Sequence, residues 1–533
     1  MAGEPTSPPA AGRGRGEGSP LAEEVELKLA LDEAHQARFM RHPLLRQASE
    51  RHVAMLDNIY YDTASLALRR RGIALRLRRK GTLWLQTVKL AGSAAAGLSS
   101  RPEWEQPYAG HFDFSAIQPA ELREWLRRPR LLARILPVCE TRFRRITWKL
   151  PAETGAVLLT LDRGWVIADG KREAISEVEL ELDGAPVQAL FRIAAQLADR
   201  VALTPAVLSK AERGYRLHGG TPPTPVKASA VVLLPRMSPF DAFRHIALSC
   251  LEHLQRNHHG ALHADNVEYI HQMRVAARRL RAALRLFGPA LPGPLREQLR
   301  EPMTTLATQL GQVRDLDVLL GDIVDPVQTA LPEEPRLSAL AGEITNLRYG
   351  VRAGVLAALA APAYGRMLLG AVEALHPLAP PTLTSATLEE FAIVRLRHLC
   401  RRLRRLAAAA RIADPSTLHA LRIGIKRLRY ALEFFAALAA DPPLRRLQAR
   451  LATAQDILGR LNDLANAGVL LSKCAGSDPG LREAVALIGG WHGTRHARLL
   501  AEIADALPRL ARTRLPGPAF APRRRAANRP TLP

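Results

Sequence analysis

The spacing of hydrophobic and polar residues divides the chain into two textures. From Glu23 to about Leu217, several segments alternate side-chain types at a period of two, which is typical of β-strands with two different faces. These segments are VELKLAL, IALRLRRK, LWLQTVKL, AVLLTLD and SEVELEL. Helical patterns interrupt them near residues 32–45, 116–135 and 186–200. We therefore predict an α+β region built on an antiparallel sheet with a few inserted helices.

The second texture runs from about Pro239 to Leu510. Its Ala-, Leu- and Arg-rich segments place apolar residues three or four positions apart, which is the period of an α-helix. Proline and glycine concentrate near residues 288–294, 325–335 and 376–383, where short loops between bundle helices would fit. This pattern predicts an all-α region.

Within the helical region one segment occurs twice, 148 residues apart. Eight of the 17 positions in 271–287 are identical in 419–435, which predicts two pseudo-symmetric helical bundles at about 237–380 and 381–511. On a helical wheel each copy has an apolar face and a basic face. The basic faces consist of His271, Arg274, Arg278 and Arg281 and of His419, Arg422, Lys426 and Arg429. Because stacked cations repel one another, the doubled surface predicts two halves facing one polyanion.

Three segments fit neither texture. Residues 1–20 are rich in Gly, Pro and Ser, and residues 512–533 are rich in Pro and Arg, so both are predicted to be disordered. Residues 219–236 contain a proline-rich stretch that is typical of a linker. The predicted domains are therefore 21–218 and 237–511.

Composition favours an anionic partner. The chain has 75 Lys and Arg against 51 Asp and Glu, a net charge of +24 and a pI near 10.8. Nucleic acid, anionic lipid and polyphosphate all fit this charge. Aromatic residues make up only 5% of the chain and offer little for base stacking, so nucleic acid is the weakest of these partners. The four scattered cysteines, the absence of an apolar leader and the lack of ~18 consecutive apolar residues predict a reduced, cytoplasmic protein outside the membrane.

Charged residues on the predicted strands alternate with apolar ones. Glu24, Glu26 and Lys28 lie on one face of the first strand, and Val25 and Leu27 lie on the other. The same alternation gives other strands a charged face, with Arg76, Arg78, Lys89, Arg101, Glu103, Glu105, Glu177, Glu179 and Glu181. One such strand is typical of a solvated outer face, but many of both signs favour a closed barrel with charges inside. Its carboxylates would suit Mg²⁺ or Mn²⁺, and its cations would suit phosphate.

Residues 22–218 resemble the CYTH family, the triphosphate tunnel metalloenzymes. The resemblance rests on motifs in the family's order: Glu24-x-Glu26-x-Lys28, Tyr60-Tyr61-Asp62-Thr63, Gly72-x-x-Leu75-Arg76-x-Arg78, Thr87-x-Lys89, Arg101-x-Glu103-x-Glu105, Asp162-x-Gly164, Glu177-x-Glu179-x-Glu181 and Ser209-Lys210-x-x-x-Gly214-Tyr215. It implies an eight-stranded antiparallel tunnel that hydrolyses a triphosphate with Mg²⁺ or Mn²⁺. The chain departs from the pattern at Leu158, where relatives often carry a further carboxylate.

The resemblance also implies roles for individual residues. Glu24, Glu26 and Lys28 would be catalytic. The metal ligands would come from Glu24, Glu26, Glu103, Glu105, Asp162, Glu177, Glu179 and Glu181. The phosphates would be held by Lys28, Arg76, Arg78, Lys89, Arg101, Arg145 and Lys210. Strand parity leaves open which of Arg142, Arg144 and Arg145 faces inward, and motif position favours Arg145.

Residues 237–510 resemble the CHAD family of conserved-histidine α-helical domains. The motifs are His271-x-x-Arg274-Val275-x-x-Arg278-Arg279-Leu280-Arg281, Val313-Arg314-Asp315-Leu316-Asp317-Val318 and Lys426-Arg427-Leu428-Arg429-Tyr430. This resemblance implies binding of inorganic polyphosphate along a basic central surface, which adds Arg314 and Arg427 to the repeated basic residues. Asp315 and Asp463 fit better as groups that orient arginines or cap helices than as catalysts.

The leading interpretation is a two-domain enzyme that hydrolyses inorganic triphosphate and binds polyphosphate. Two alternatives remain open: a non-catalytic polyphosphate-binding protein associated with granules, and a tunnel enzyme acting on thiamine triphosphate or a nucleoside triphosphate, adenylate cyclisation included. Binding to nucleic acid through charge alone is a third class.

Overall fold

The computed structural model describes residues 24–90, 93–118, 120–220, 222–376, 387–438 and 442–515. The predictions of disorder for 1–20 and for most of 512–533 lie outside the described residues, as do the side chains of Glu24 and Arg101. Two compact units make up the described chain. Within the described residues, the first comprises 24–33, 41–190 and 208–222, and the second comprises 34–40, 191–207 and 223–515. The exact domain limits stay a prediction.

Strands dominate the N-terminal part and helices the C-terminal part. The strands are β1 (Glu24–Leu31), β2 (Glu50–Thr63), β3 (Ile73–Lys80), β4 (Leu83–Leu90), β5 (Ser93–Ala95), β6 (Leu98–Arg101), β7 (Glu103–Pro107), β8 (Ile135–Pro151), β9 (Ala156–Ala168), β10 (Lys171–Asp183) and β11 (Leu203–Pro205). The helices up to residue 218 are α1 (Gln36–Met40), α2 (Ala67–Arg70), α3 (Ala120–Leu126), α4 (Pro129–Leu132), α5 (Val187–Ala198) and α6 (Lys210–His218). Those that follow are α7 (Pro239–His263), α8 (Val267–Phe287), α9 (Gly293–Val318), α10 (Asp325–Ala330), α11 (Pro335–Ala360), α12 (Pro362–Leu375), α13 (Leu388–Ala409), α14 (Pro415–Phe434), α15 (Pro442–Ala475) and α16 (Pro479–Ala511).

The sheet of the first unit curls into a tunnel. Ten strands are hydrogen-bonded in the order β5-β6-β1-β10-β9-β8-β2-β3-β4-β7, and their pairs are antiparallel. Only Pro102, which has no N–H to donate to a ladder, separates β6 from β7. Because β6 pairs with β1 and β7 pairs with β4, the segment 98–107 joins the two ends of the sheet. The walls are thus β1 to β4, this segment and β8 to β10, so the predicted antiparallel tunnel is confirmed.

The period-two pattern explains which side chains enter the tunnel. On β10, Val178 and Leu180 are fully buried on the outer face, while Glu177 and Glu179, which alternate with them, face the other way. Both faces of this strand are therefore buried, one in an apolar layer and one in an ionic layer. Burial of the ionic layer is tolerated because its carboxylates are paired with cations.

The helical unit repeats its helices in order. α8 begins at Val267 and α14 at Pro415, which lie 148 residues apart, and both helices are capped by the preceding side chain. Asn266 accepts a hydrogen bond from the Glu268 amide, and Asp414 accepts one from the Ser416 amide. The all-α prediction is confirmed.

The two copies of the repeat meet through equivalent residues. Phe287 and Phe435 are both fully buried, and their ring centroids lie 5.6 Å apart in an edge-to-face contact. Helices α8 and α14, which carry the two basic faces, pack on each other. The basic faces are thus brought to one region of the unit.

Within the described residues, no single helix combines the length and the apolar composition of a membrane span. Helices α11 and α12, with a bend of 57° between them, meet both criteria only when they are counted as one.

Candidate functional site

The tunnel of the first unit encloses a cavity of about 570 Å³ with an ionic lining. Every wall contributes to the lining except for the parts whose side chains are not described. The charged residues of the lining are Glu26, Lys28, Arg76, Arg78, Lys89, Glu103, Glu105, Arg145, Glu179, Glu181 and Lys210. The lining contains both carboxylates and cations, which agrees with the charged strand faces pointing inward.

Three carboxylates form the densest acidic cluster. Asp162 of β9 stands beside Glu177 of β10 in the ladder, and Glu179 follows two residues later on the same face. One oxygen from each lies within 4.8 Å of the others, and all three side chains are buried. Three carboxylates at this spacing could hold a metal ion, because hard cations prefer oxygen ligands. We call Asp162, Glu177 and Glu179 the carboxylate triad.

Helix α6 inserts an ammonium group into the carboxylate triad. The Lys210 Nζ lies 2.7 Å from an Asp162 oxygen and 3.1 Å from a Glu179 oxygen, and it also contacts Glu177. Burial disfavours its charge, but the three carboxylates, Asp162 first, outweigh burial and raise the pKa of Lys210 above its ordinary value. The chain itself therefore supplies one cation to this cluster.

Two local features hold Lys210 in place. Ser209 and Glu212 form a capping box at the start of α6, which fixes where the helix begins. Gly214 lies against β8, where an added Cβ would sit 2.2 Å from the Cys139 Sγ. Only glycine lets α6 approach this closely, so the glycine of the Ser-Lys-x-x-x-Gly motif positions the lysine.

Arg145 also faces the tunnel. Its guanidinium donates to both oxygens of Asp162 at 2.7 and 2.6 Å and to Glu179 at 2.5 Å. Arg142 pairs with Glu140 on the outer face and has a 62% exposed side chain, and Arg144 shares its parity. The alternative left open by strand parity is resolved in favour of Arg145.

Lys28 joins the same group of charges. Its Nζ lies 3.1 Å from Glu179 and 3.9 Å from Glu26. Burial raises the pKa of Glu179, but Lys210, Lys28 and Arg145 together hold it well below the ordinary value. Glu179 is therefore ionised and central to this wall.

The opposite wall carries a second set of cations. The Arg76 guanidinium lies 3.3 Å from Glu103, and the Lys89 ammonium lies 2.7 Å from another oxygen of Glu103. Arg78 donates to the Asn58 side chain at 2.9 Å, and among the described side chains its carboxylate partner is the distant Glu105, at 4.0 Å. Burial and the neighbouring Arg76 and Arg145 lower the pKa of Arg78 to about 10. Arg78 is thus a weakly compensated cation that an anion in the cavity would stabilise.

The remaining residues that the sequence predicted for the tunnel lie outside the carboxylate triad. Glu26 accepts a hydrogen bond from the Ser99 hydroxyl at 3.0 Å, and Glu181 lines the cavity opposite Leu158. Glu24 and Arg101 belong to β1 and β6, and their side chains are not described. The sequence reasoning missed Asn58, which has the same strand parity as Tyr60 of the Tyr-Tyr-Asp-Thr motif and could have been found from it.

The helical unit has its own basic cavity, here named cavity A, of about 220 Å³. Both copies of the repeat line it through α8, α9, α14 and α15. Its cationic and histidine side chains are His271, Arg274, Arg278, Arg314, Arg422 and Lys426. The Arg274 guanidinium lies 3.1 Å from Asp315, which agrees with an orienting role for that aspartate. His419 and Arg429 are absent from the described lining, and His419 instead lies 3.2 Å from the Asn462 side chain.

A larger cavity of about 1130 Å³, named cavity B, is also basic. Seven arginines line it: Arg281, Arg285, Arg296, Arg300, Arg395, Arg402 and Arg427. Sequence reasoning assigned only Arg281 and Arg427 to the polyanion surface. The pair 296 and 300 on α9 and the pair 395 and 402 on α13 have helical spacings that could have signalled the rest.

Cations outnumber carboxylates in the lining of these two cavities, although Arg274 pairs with Asp315. Burial, followed by Arg422, Arg278 and Arg274, lowers the pKa of Lys426 to about 7. Burial also lowers the pKa values of Arg281 and Arg395. The buried Nε atoms of these two arginines have no hydrogen-bond partner among the described residues. The tunnel is internally neutralised, whereas the lining of the two helical cavities carries more cations than carboxylates.

Comparison with known proteins finds relatives for both parts. The family model of the CYTH domain matches residues 22–215, and that of the CHAD domain matches residues 245–472. An inorganic triphosphatase of Haemophilus influenzae is 29% identical over 198 residues, which are 37% of this chain and 55% of that protein. The chain therefore spans about half the length of that relative.

Two further relatives extend to the helical part. An uncharacterized protein of Mycobacterium tuberculosis is 29% identical over 421 residues, 72% of this chain and 76% of that protein. The crystal structure of the CHAD domain from the plant Ricinus communis is 33% identical, covering 55% of this chain and 98% of that chain with a TM-score of 0.47.

Proposed function

We propose that this chain, which carries a CYTH domain followed by a CHAD domain, hydrolyses inorganic triphosphate in its tunnel and binds inorganic polyphosphate on its helical unit. One observation carries the enzymatic proposal: cations and carboxylates converge on a single cavity of about 570 Å³. The name of the Haemophilus influenzae relative supports the substrate, since its match covers the tunnel part of this chain.

The tunnel cations are suited to hold a triphosphate between two walls. Arg76, Arg78 and Lys89 approach from one side. Lys28 and Arg145 approach from the other. Guanidinium and ammonium donors stabilise negative charge on phosphoryl oxygens most strongly where water is excluded. The terminal phosphorus would accept a water molecule while its bond to the bridging oxygen breaks, giving phosphate and diphosphate.

The carboxylate triad fits a divalent cation by its chemistry. Asp162, Glu177 and Glu179 offer oxygen ligands within 4.8 Å of one another, and Glu179 lines the tunnel cavity together with Glu26 and Glu181. A bound Mg²⁺ or Mn²⁺ would supply charge neutralisation at the phosphoryl oxygens. The residues of the chain would bind and orient the substrate around it.

Phosphate release from triphosphate tests the proposal. We expect turnover with Mg²⁺ or Mn²⁺ that falls by about 10²-fold or more in Glu179→Gln, because this change removes the charge that orients Lys28, Arg145 and Lys210. Asp183→Asn is the matched control, since Asp183 lies on the same strand but pairs with Lys149 and is 44% exposed. Equal activity in the two variants, or no metal-dependent turnover in the wild type, would contradict the enzymatic proposal.

A non-catalytic tunnel is the alternative. Two observations favour it: Lys210 lies among the triad carboxylates, and Leu158 lines the cavity where relatives often carry a carboxylate. This alternative predicts that the wild-type protein binds polyphosphate and releases no phosphate. The same assay with a panel of inorganic, thiamine and nucleoside triphosphates separates this non-catalytic protein from a tunnel enzyme that acts on an organic substrate, because the enzyme would release phosphate from one of the organic triphosphates.

A further inference from the structure

Cavities A and B lie one after the other along the same pair of helices. On α8, Arg274 and Arg278 line cavity A, and Arg281 and Arg285 line cavity B. On α14 the order is the same, with Lys426 in cavity A and Arg427 in cavity B. The 11 steps from Arg274 to Arg285 span about 16 Å of helix axis. The two cavities therefore form consecutive parts of one basic track.

One contact lies where the two cavities meet. The Arg278 Nε donates a hydrogen bond of 2.6 Å to the Tyr430 hydroxyl, and the guanidinium carbon lies 5.9 Å from the centre of the tyrosine ring. Arg278 belongs to the lining of cavity A, and Tyr430 belongs to the lining of cavity B. The contact joins the first copy of the repeat to the second and stands between the cavities.

The equivalent positions of the repeat do not form a second contact of this kind. The position equivalent to Tyr430 in the first copy, 148 residues earlier, is Ala282, which also lines cavity B. The position equivalent to Arg278 is Lys426. An alanine offers Lys426 no hydroxyl and no ring, so the junction depends on one tyrosine.

We propose that the Arg278–Tyr430 contact is a chain-length filter that sets the minimum length at which a linear polyphosphate occupies both cavities. The inference rests on the polyphosphate binding proposed above and names the ligand class within it. A short phosphate chain can bind in cavity A while the contact stays closed. A longer chain has to part Arg278 from Tyr430 in order to continue into cavity B.

The energetics favour opening only for long chains. Arg278 loses a neutral acceptor, the tyrosine hydroxyl, and gains an ionised phosphate oxygen, which is the stronger partner of a guanidinium. A chain that reaches cavity B also meets Arg281, Arg395 and Arg427, whose buried Nε atoms have no partner among the described residues. These gains are available to a long chain and not to a triphosphate, so affinity should rise steeply once the chain spans the junction.

Tyr430→Phe tests the filter in the full-length protein. The variant keeps the ring and removes the acceptor of the Arg278 hydrogen bond, so it lowers the cost of opening. We measure binding to the helical unit as displacement of a labelled long polyphosphate, in buffer without divalent metal, by triphosphate and by size-fractionated linear polyphosphates of increasing length. We expect the affinity for long chains to rise by about tenfold, the threshold length to become shorter, and triphosphate affinity to stay unchanged.

Tyr349→Phe is the matched control, because Tyr349 is 60% exposed on α11 and lines neither cavity among the described residues. Unchanged or weaker long-chain binding in Tyr430→Phe would overturn the filter, and so would an equal gain for triphosphate and long chains. Failure of the wild-type protein to bind long polyphosphate at all would instead overturn the proposed function, so the two failures are distinguishable.

Discussion

Two lysines show how the same residue type acquires opposite properties in the two units. Lys210 is surrounded by carboxylates, which raise its pKa, and Lys426 is surrounded by arginines, which together with burial lower its pKa to about 7. The first is held as a permanent cation. The second can gain or lose a proton near neutral pH, so a bound anion will change its charge.

Lys426 should make polyphosphate binding depend on pH above 7. Below its pKa of about 7 the free protein already carries the charge. Above pH 7 the anion has to draw a proton onto Lys426, so affinity falls as pH rises, by at most about tenfold per pH unit. His271 does not titrate in this window, because burial and Arg314 lower its pKa below the ordinary 6.5. Calorimetry at pH 8 in two buffers of different ionisation heat measures the proton uptake.

Lys426→Arg is the control for this pH dependence. Arginine keeps the positive charge and stays protonated, so we expect no proton uptake and a flat affinity between pH 7 and 8.5. The same lysine also affects folding. Its folded pKa lies below the unfolded value of 10.5, so its contribution to the free energy of unfolding rises with pH between about 7 and 10.5. Proton uptake that persisted in Lys426→Arg would place the titrating group elsewhere.

The sequence predicted residues better in the tunnel than in the helical unit. A strand has a period of two, so the inward direction of Glu26 and Lys28 follows from their parity with Val25 and Leu27. Parity could not choose between Arg142, Arg144 and Arg145, because the direction of β8 relative to the lumen is set by the closure of the sheet. Cavity B could not be predicted, because its arginines come from four helices whose mutual placement depends on packing.

At the scale of elements, α6 determines which cation the carboxylate triad is paired with. The capping box and Gly214 fix the helix against β8, and this places the Lys210 ammonium where a divalent cation would meet Asp162 and Glu177. A tethered cation and a metal ion therefore compete for the same oxygens. The sequence motif contains both the serine and the glycine, but only the fold shows that they position this lysine.

Lys210→Met should strengthen metal binding to the carboxylate triad. The change removes a positive charge from the carboxylate triad and leaves the capping box intact, so we expect Mn²⁺ affinity without substrate to rise by on the order of tenfold. Mn²⁺ binding is measured by electron paramagnetic resonance or calorimetry on the free protein. Arg216→Met, on the same helix but paired with Glu173, is the control. Weaker Mn²⁺ binding in Lys210→Met would mean that the lysine supports the metal site instead of competing for it.

At the scale of the whole molecule, the net charge is +24, and the two units differ in how closely their cations are paired with carboxylates. In the tunnel, Lys28, Arg76 and Arg145 each lie within 4.0 Å of a carboxylate. In the helical unit, the cations that converge on cavities A and B repel one another. The duplication of one helical segment explains this accumulation, since a basic face that occurs twice meets itself when α8 and α14 pack together.

Competition binding should separate a shaped polyphosphate site from attraction by charge alone. Double substitution Arg274→Ala/Arg422→Ala removes one cavity A arginine from each copy, so we expect polyphosphate affinity to fall by about 100-fold or more at fixed salt. Arg446→Ala/Arg498→Ala removes the same charge from exposed positions on α15 and α16 and should lower polyphosphate affinity by less than about tenfold.

Unlabelled polyphosphate should displace a labelled chain from the wild type, whereas RNA at equal phosphate content should not, because cavities lined by guanidinium groups offer few aromatic rings for stacking. Equal losses in the two double variants, together with displacement by RNA, would reduce the helical unit to a non-specific polyanion surface.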